Sequence, residues 1–284
     1  MRLDLKVSPQ LTTWRAFADV CTAADDSGMF TGLWAFDHLA PVASGGVGND
    51  PNGGCFEGWS TLAALAALTS TVKLGLLVSA AHYRNVGVLA QTITTIDHIS
   101  DGRVEVGLGA GNNAAESECF GLAFASPRER AQHLDEYVAA LAALLAGSAC
   151  SFDGSVVQLR EARTSPAPIQ RRIPLIVGGK GEQRTLKTAA QRCDGWNYST
   201  GSPAEFAAKL SVLAAHAHDA NRDPATVRKQ VQVRVDDDPA PAVDLAHAYA
   251  ARGATDIVLY INPLRSRLEA AMKAADELVS APIE

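Results

Sequence analysis

Two short segments of the sequence combine residue types that can do chemistry at a binding site. Asp37-His38 joins a carboxylate to an imidazole, which titrates near neutral pH and can act as a general acid or base. Gly178, Gly179 and Lys180 open the run GGKG, in which glycines free backbone N–H groups towards an anion and the lysine adds a positive charge. This second segment fits a single phosphate. The alternative for Asp37-His38 is a loop turn with a surface histidine, and the alternative for GGKG is a plain glycine-rich turn.

Other motifs argue against a metal, a nucleoside triphosphate or a dinucleotide. His216 and His218 stand two residues apart and so point to different faces of a helix, and no C-x-x-C pair is present, so we predict no metal site. The G-x-x-x-x-G-K-[ST] pattern of triphosphate-binding loops is absent. GLGAG lacks the last glycine of a dinucleotide fingerprint, because Asn112 stands there. Its glycines are expected to admit a flat ring or a neighbouring strand.

Two further polar segments are expected to lie outside the chemistry. The SDGR segment at 100–103 joins a predicted helix to the next strand. This places it at the N-terminal ends of the strands, opposite the active site, where residues contribute to stability. Glu116 and Glu118 could be catalytic, but we expect them to be exposed loop carboxylates.

The candidate segments follow predicted strands in a regular alternation of strands and helices. Eight apolar runs are predicted as strands, and amphipathic stretches between them as helices: 3–7, 32–36, 73–78, 104–108, 175–177, 196–199, 231–235 and 255–261. Strict alternation predicts a parallel sheet, and eight units predict an α/β fold closed into a (β/α)₈ (TIM) barrel, with an open doubly wound sheet as the competing fold. Asp153-Gly154 predicts a small hairpin between the fourth helix and the fifth strand. We expect a single barrel domain over 1–284, with its site at the C-terminal strand ends.

The composition narrows the class of protein. The chain has 284 residues, 47% of them hydrophobic, which is enough for a large core. A formal net charge of -6 argues against nucleic acid as a partner. The sequence has no apolar run of about 18 residues, so we predict no membrane span. The N-terminus carries no signal-peptide pattern, and the five scattered cysteines fit a reduced protein. We therefore expect a cytoplasmic protein that binds a small molecule.

Several segments occur together in one known family. They are GLWAFDH, FEGWSTLAALAALTSTVKLGLLVSAAHYRN, TTIDHISDGRVEVGLGAGNNAAESECFG and PLIVGGKGEQRTLKTAAQRCDGWN, and together they span about residues 30 to 200. On these segments the chain resembles the luciferase-like flavin and deazaflavin oxidoreductases. The stretch around the third and fourth strands is most similar to the branch that uses coenzyme F420. The resemblance implies a (β/α)₈ barrel, often homodimeric, with the ring of the cofactor across the strand ends.

The resemblance also assigns residues to the cofactor. In the family the third strand ends in a bulge with a non-proline cis peptide that backs the ring, and Leu77-Val78 occupies that position here. Asp37 and His38 match the pair beside the ring, Asn113 matches a side chain near the cofactor, and Gly178-Gly179 matches the phosphate turn. The expected cofactor-binding residues are Asp37, His38, Leu77, Val78, Ser79, Asn113, Gly178, Gly179 and Lys180.

The sequence departs from the family pattern in a few places. Val86 stands where a proline is common, and GAGNN replaces the commoner GAGW. Ala110 stands where some sugar-phosphate dehydrogenases of this branch carry an acid, which puts that substrate class in doubt. His38 is therefore the predicted catalytic residue for proton transfer.

Three functions remain open on the sequence. The first is an oxidoreductase that passes a hydride between coenzyme F420 and a small organic substrate. The alternatives are a monooxygenase that uses reduced flavin mononucleotide (FMN) and oxygen, and a non-catalytic protein that binds a flavin or deazaflavin. The sequence names neither the substrate nor the direction of hydride transfer.

Overall fold

The computed structural model describes residues 1–42, 53–262 and 264–280, and its helices and strands alternate as the sequence predicts. They are β1 (Arg2–Val7), α1 (Trp14–Asp26), β2 (Gly32–Ala35), α2 (Gly58–Leu68), β3 (Lys73–Leu76), β4 (Ser79–Ala80), α3 (Val86–Ile99), β5 (Val106–Gly109), α4 (Ala114–Cys119), α5 (Pro127–Leu145), β6 (Cys150–Asp153), β7 (Gln158–Ala162), β8 (Leu175–Gly178), α6 (Thr185–Arg192), β9 (Gly195–Tyr198), α7 (Pro203–Asp219), β10 (Arg228–Arg234), α8 (Ala240–Ala250), β11 (Asp256–Ile261) and α9 (Arg265–Ser280). The helices begin where the sequence supplies caps. Ser126, for example, forms a capping box with Glu129 at the start of α5.

Within the described residues, nine strands form one parallel sheet in the order β3-β2-β1-β11-β10-β9-β8-β5-β4. The extra strand arises because the predicted strand 73–78 is divided into β3 and β4 on either side of Leu77-Val78, whose peptide bond is cis. Leu74 of β3 also bridges Val104, just before β5, so the sheet nearly closes on itself. The (β/α)₈ barrel is confirmed, and the open doubly wound sheet is not formed.

The predicted hairpin is present as a separate two-stranded sheet. Strands β6 and β7 pair antiparallel on either side of the Asp153-Gly154 turn. The Glu136 side chain on α5 holds the turn, because it accepts hydrogen bonds from Ser155 Oγ at 2.6 Å and from the backbone N–H of Val156 at 2.8 Å. The hairpin is thereby fixed against the outer helices rather than in the barrel.

Apolar side chains fill two layers of the barrel. The larger core lies between the sheet and the helices and includes Leu5, Phe17 and Leu62, all fully buried. A smaller cluster of Trp34, Leu77, Ile176 and Val258 lies apart from it. No helix in the described parts of the chain has the length and apolarity needed to cross a bilayer.

The N-terminal end of the barrel is closed by structural polar groups, as the SDGR segment predicts. The Arg103 guanidinium donates to the backbone carbonyls of Ala66, Thr69, Val72 and Ser100 at 2.7 to 3.0 Å. These bonds tie the end of α2 and the segment before β3 to the segment between α3 and β5. The interpretation of SDGR as a stability element is therefore confirmed.

Candidate active site

A cavity of about 900 Å³ opens at the C-terminal ends of the strands. This volume lies within the range of small-molecule and cofactor sites, about 300–1,000 Å³. Six of the residues predicted from the sequence line it: Asp37, His38, Leu77, Val78, Gly178 and Gly179. The structure therefore gathers segments separated by more than a hundred residues into one site.

One side of the cavity is lined by Leu77, Val78, Gly109 and Gly178, which we call the apolar wall. Val78 lies between the two glycines. A Cβ added to Gly109 would lie 2.6 Å from Val78 Cγ2, and one added to Gly178 would lie 2.8 Å from Val78 Cγ1. A side chain at either position would clash with Val78 unless the valine or the strands shifted. The expectation that the GLGAG glycines admit a neighbouring strand is confirmed at Gly107, where an added Cβ would lie 2.1 Å from the backbone oxygen of Leu76 on β3.

Asp37 is buried beneath the cavity and held by two partners. Arg84 donates to both carboxylate oxygens, at 2.5 Å from Nη1 to Oδ2 and at 2.9 Å from Nη2 to Oδ1. Ser79 also donates a hydrogen bond to Asp37. Burial raises the pKa of the Asp37 carboxyl, whereas Arg84 and Ser79 act in the opposite direction. Ser79 does not line the cavity; its role here is to hold Asp37.

Glu116 corrects the sequence expectation of an exposed loop carboxylate. It is completely buried in the first turn of α4 and accepts four hydrogen bonds. They come from His38 Nδ1 at 2.9 Å, the N–H groups of Leu39 and Ala40 at 2.6 and 3.1 Å, and the Tyr83 hydroxyl. Burial alone would raise its pKa, but the hydrogen bonds from His38 and Tyr83 outweigh this and lower the pKa to about 2. Glu116 is therefore a fixed anion behind His38.

The Glu116 contact determines which nitrogen of His38 is available for chemistry. When Nδ1 carries the proton that Glu116 accepts, Nε2 of the neutral ring is left as a base. Among the described residues, Nε2 of His38 has no hydrogen-bond partner, and the residue lines the cavity. The pair resembles the arrangement in which a buried carboxylate orients a catalytic imidazole.

Asn113 and Lys180 do not line the cavity. The Asn113 side chain accepts a hydrogen bond from the Glu116 N–H at 3.1 Å and so caps α4. Lys180 forms an ion pair with Glu205, with Nζ and Oε1 3.0 Å apart. Thr185, the first residue of α6, lines the cavity next to Gly179 instead, and no side chain caps this helix. Helix N–H groups without a side-chain cap can donate to an anion, and the phosphate site expected at this turn stays a prediction.

Sequence reasoning missed the opposite side of the cavity. Lys6, Gln232, Arg234 and Tyr260, which we call the polar wall, line it from β1, β10 and β11. Burial lowers the pKa of Lys6 to about 8. Lys6 lies inside a strand rather than after one, so a search of strand ends could not find it. For Glu116, the signal was Asn113 three residues earlier, because that spacing is typical of a helix start.

Together, the fold and the cavity define a (β/α)₈ barrel protein with an apolar wall, an uncapped helix start and a buried carboxylate–imidazole pair. The profile of the luciferase-like monooxygenase family matches residues 2–281, and the chain belongs to that family. The resemblance drawn from the sequence is thereby confirmed at the level of the family.

The chain is also similar to individual proteins. The chain is 31% identical over 226 residues to the F420-dependent hydroxymycolic acid dehydrogenase of Mycobacterium tuberculosis. The match covers 78% of this chain and 59% of that protein. It is 36% identical over 138 residues to an uncharacterised protein of the same organism, covering 49% and 48% of the two chains. The chain thus spans about half to three fifths of the length of these relatives.

Among solved structures, the coenzyme F420-dependent tetrahydromethanopterin reductase of Methanopyrus kandleri has a TM-score of 0.81. The two chains are 19% identical, and the match covers 98% of each. At this identity the likeness establishes the fold over the whole barrel.

Proposed function

We propose that the protein is an F420-dependent oxidoreductase that transfers a hydride between the coenzyme and a small organic substrate. The observation that carries the proposal is the position of His38, fixed by Glu116 at 2.9 Å, in the same cavity as the apolar wall. A flat ring needs such a wall, and hydride transfer to or from an alcohol or carbonyl carbon needs a group that handles the proton. The F420-dependent relative supports the choice of cofactor.

The residues present fit the coenzyme. Leu77 and Val78 offer an apolar surface made accessible by the glycines beside them, and the Gly178-Gly179 turn with the start of α6 offers N–H groups to a phosphate. F420, when bound, supplies the carbon centre that accepts or donates the hydride. His38 takes or gives the proton at Nε2, while Glu116 holds the ring and Arg84 holds Asp37 beside the cavity.

The first experiment is a titration of the purified protein with F420 and, separately, with FMN. We expect F420 to bind with at least tenfold higher affinity, measured from the absorbance and fluorescence of the deazaflavin. Membership of the luciferase-like monooxygenase family favours reduced FMN with oxygen as the second candidate. Tight binding of FMN with no binding of F420 would overturn the proposal in favour of that candidate.

A second experiment tests His38 and the third possibility, a binding protein without turnover. His38→Ala is expected to keep the affinity for F420 but to lower the rate of F420 reduction or oxidation by a hundredfold or more. Binding of F420 with no turnover across a broad panel of alcohols, aldehydes and ketones would favour the non-catalytic alternative. Full turnover by His38→Ala would remove His38 from the chemistry.

A further inference from the structure

The two walls of the cavity lie on opposite sides of the barrel. In the order of the sheet, β11 lies between β1 and β10, so these three strands are neighbours and carry the polar wall. Strands β8, β5 and β4 are likewise neighbours and carry the apolar wall. A cofactor ring on the apolar wall therefore leaves the polar wall facing what remains of the cavity.

Lys6 is the unusual residue of the polar wall. The residue is only 8% exposed, yet it lines the cavity. Its Nζ donates to Gln232 Oε1 at 2.9 Å and lies 4.8 Å from the centre of the Tyr260 ring and 5.7 Å from that of Phe36. An ammonium group has three N–H donors, and Gln232 is its one hydrogen-bond acceptor among the described residues. Two donors are left for an acceptor in the cavity.

A hydrogen-bonded chain of side-chain amides fixes the orientation of Gln232 next to Lys6. Gln232 Nε2 donates to Asn197 Oδ1 at 2.7 Å, and Asn197 Nδ2 donates to Gln230 Oε1 at 2.8 Å. Gln230 Nε2 then donates to Asp4 Oδ2 at 3.3 Å. Along this chain, the carbonyl oxygen of each amide faces the Lys6 end and its NH₂ group faces the end with the buried Asp4 carboxylate. This direction favours a protonated Lys6 and keeps Gln232 Oε1 in place as its acceptor.

We infer that the substrate carries an anionic oxygen, in a carboxylate or a phosphate, and that Lys6 binds it on the polar wall. The inference rests on the proposed function, because it assigns the apolar wall to the cofactor. A buried ammonium with two unfilled donors is stabilised by an anion, which supplies both the missing acceptors and the opposite charge. Arg234 adds a second cation at the half-exposed rim, where its Nε lies 3.2 Å from Asp236 Oδ1. The aromatic rings of Phe36 and Tyr260 keep water away from the pair and so strengthen it.

The test compares two ligands of nearly the same shape, of which only one is an anion. We expect benzoate to bind the protein saturated with F420 at least tenfold more tightly than benzamide near pH 7, measured by isothermal titration calorimetry. Inorganic phosphate provides a second arm: stronger binding of phosphate than of benzoate would indicate a phosphorylated substrate. Equal affinities for benzoate and benzamide, together with no binding of phosphate, would overturn the inference.

Variants of Lys6 test whether this residue causes the preference for benzoate. Lys6→Met is expected to abolish the preference for benzoate, and Lys6→Arg to keep part of it, because the charge remains but its geometry differs. Arg265→Met, at an exposed position outside the cavity, is the matched control and should keep the full preference. An unchanged preference in Lys6→Met would overturn the inference.

The pH dependence of benzoate binding to the wild-type protein is a further test. Because burial lowers the pKa of Lys6 to about 8, the affinity for benzoate should fall as the pH rises through 8, where the ammonium loses its proton. Other charged or titratable groups lie on the neighbouring segments: Arg2 and Asp4 on β1, Asp37 and His38 after β2, Arg228, Lys229 and Arg234 on β10, and Asp256 and Tyr260 on β11. Any titration that belongs to one of them would persist in Lys6→Met. A benzoate affinity that stays constant from pH 6 to 10 would contradict the role of Lys6.

The same titrations separate this inference from the proposed function. Binding of F420 without a preference for anions would leave the function standing and remove the role of Lys6. A preference for anions in a protein that does not bind F420 would remove the function. A preference that disappears once F420 is bound would assign Lys6 to the cofactor and overturn the inference about the substrate.

Discussion

Glu116 and His38 form a unit in which one residue sets the state of the other. The carboxylate accepts a hydrogen bond from His38 Nδ1 at 2.9 Å and is completely buried, so no water competes with His38 for the carboxylate. Its other partners, two backbone N–H groups and the Tyr83 hydroxyl, fix its position. The tautomer of His38, and with it the nitrogen presented to the cavity, therefore depends on a residue that does not line the cavity.

The variant Glu116→Gln tests this dependence. A glutamine at this position can donate its NH₂ to His38 Nδ1, which favours the tautomer with the proton on Nε2. We expect the ¹⁵N chemical shifts of the neutral His38 ring to report this exchange. Turnover with F420 should fall by about a hundredfold, as expected for an imidazole in the wrong tautomer, while the affinity for F420 changes little.

A double variant distinguishes positioning from a general structural effect. If Glu116 acts through His38, the double variant with His38→Ala and Glu116→Gln should be about as slow as His38→Ala alone. Effects that multiply would instead indicate two independent contributions. Wild-type turnover together with an altered tautomer in Glu116→Gln would contradict the role of the Nε2 nitrogen.

The residues of the site were predictable to different degrees. Asp37, His38 and Gly178 follow predicted strands, and the position of the active site in such barrels was enough to select them. The contact between His38 and Glu116 joins residues 78 apart, and that between Lys6 and Gln232 joins residues 226 apart. No local pattern reports such pairs, because only the closed barrel brings them together.

At the scale of elements, the pattern of apolar residues gave the order of strands and helices but not their ends. The strand predicted at 104–108 begins at Val106, because Val104 makes only an isolated bridge to Leu74 and Glu105 turns into a network of charges. The strand predicted at 73–78 is divided at Leu77-Val78. Periodicity reports burial, and both segments are buried whether or not their backbone pairs regularly.

The packing of Val78 between Gly109 of β5 and Gly178 of β8 can be tested by substitution. Gly109→Ala places a methyl group 2.6 Å from Val78 Cγ2, which forces the strands apart or rotates the valine. We expect the free energy of unfolding to fall by about 1–3 kcal/mol, the usual cost of overpacking, and the affinity for F420 to fall with it. Urea denaturation and the F420 titration measure the two effects.

Val78→Ala provides the compensating change. It removes the Cγ atoms and leaves the Val78 Cβ 3.7 Å from a Cβ at position 109, which is an ordinary contact. The double variant should therefore be more stable than the sum of the two single effects predicts. Gly54→Ala, whose added Cβ meets nothing within 4 Å, is the control and should be nearly neutral. Additive effects of the two substitutions would show that the clash is absorbed elsewhere.

At the scale of the whole molecule, the barrel separates binding from stability. The cavity occupies the C-terminal strand ends, whereas a network of charges closes the other end. In that network Glu105 joins Arg2 and Arg228, which also pair with Asp4 and Asp256. The single barrel domain, the homodimer and the cytoplasmic location expected from the sequence stay predictions.

Glu105→Gln is expected to weaken the fold without changing the site. Glu105 is 3% exposed and accepts from Arg2 Nη1 at 2.7 Å and from Arg228 Nη1 at 2.9 Å. Hydrogen bonds to charged groups contribute about 1.5–3 kcal/mol each, and a glutamine oxygen can replace only one of the two acceptors. The free energy of unfolding, measured in urea, should therefore fall by about 2 kcal/mol. The affinity for F420 should stay within twofold of the wild-type value, because the network lies at the other end of the strands and the chain of amides from Asp4 leads to the polar wall, not to the apolar wall.

The control for this prediction is a charge whose partner is solvated. Arg265 pairs with Glu269 at 3.6 Å on the surface of α9, where both side chains are about two-thirds exposed. Arg265→Ala should change the free energy of unfolding by less than about 0.5 kcal/mol, since solvent screens such pairs. If Glu105→Gln were as mild as this control, the network would contribute no more than a surface ion pair. If it lowered the affinity for F420 at unchanged stability, the two ends of the barrel would be coupled, and the separation of binding from stability would be wrong.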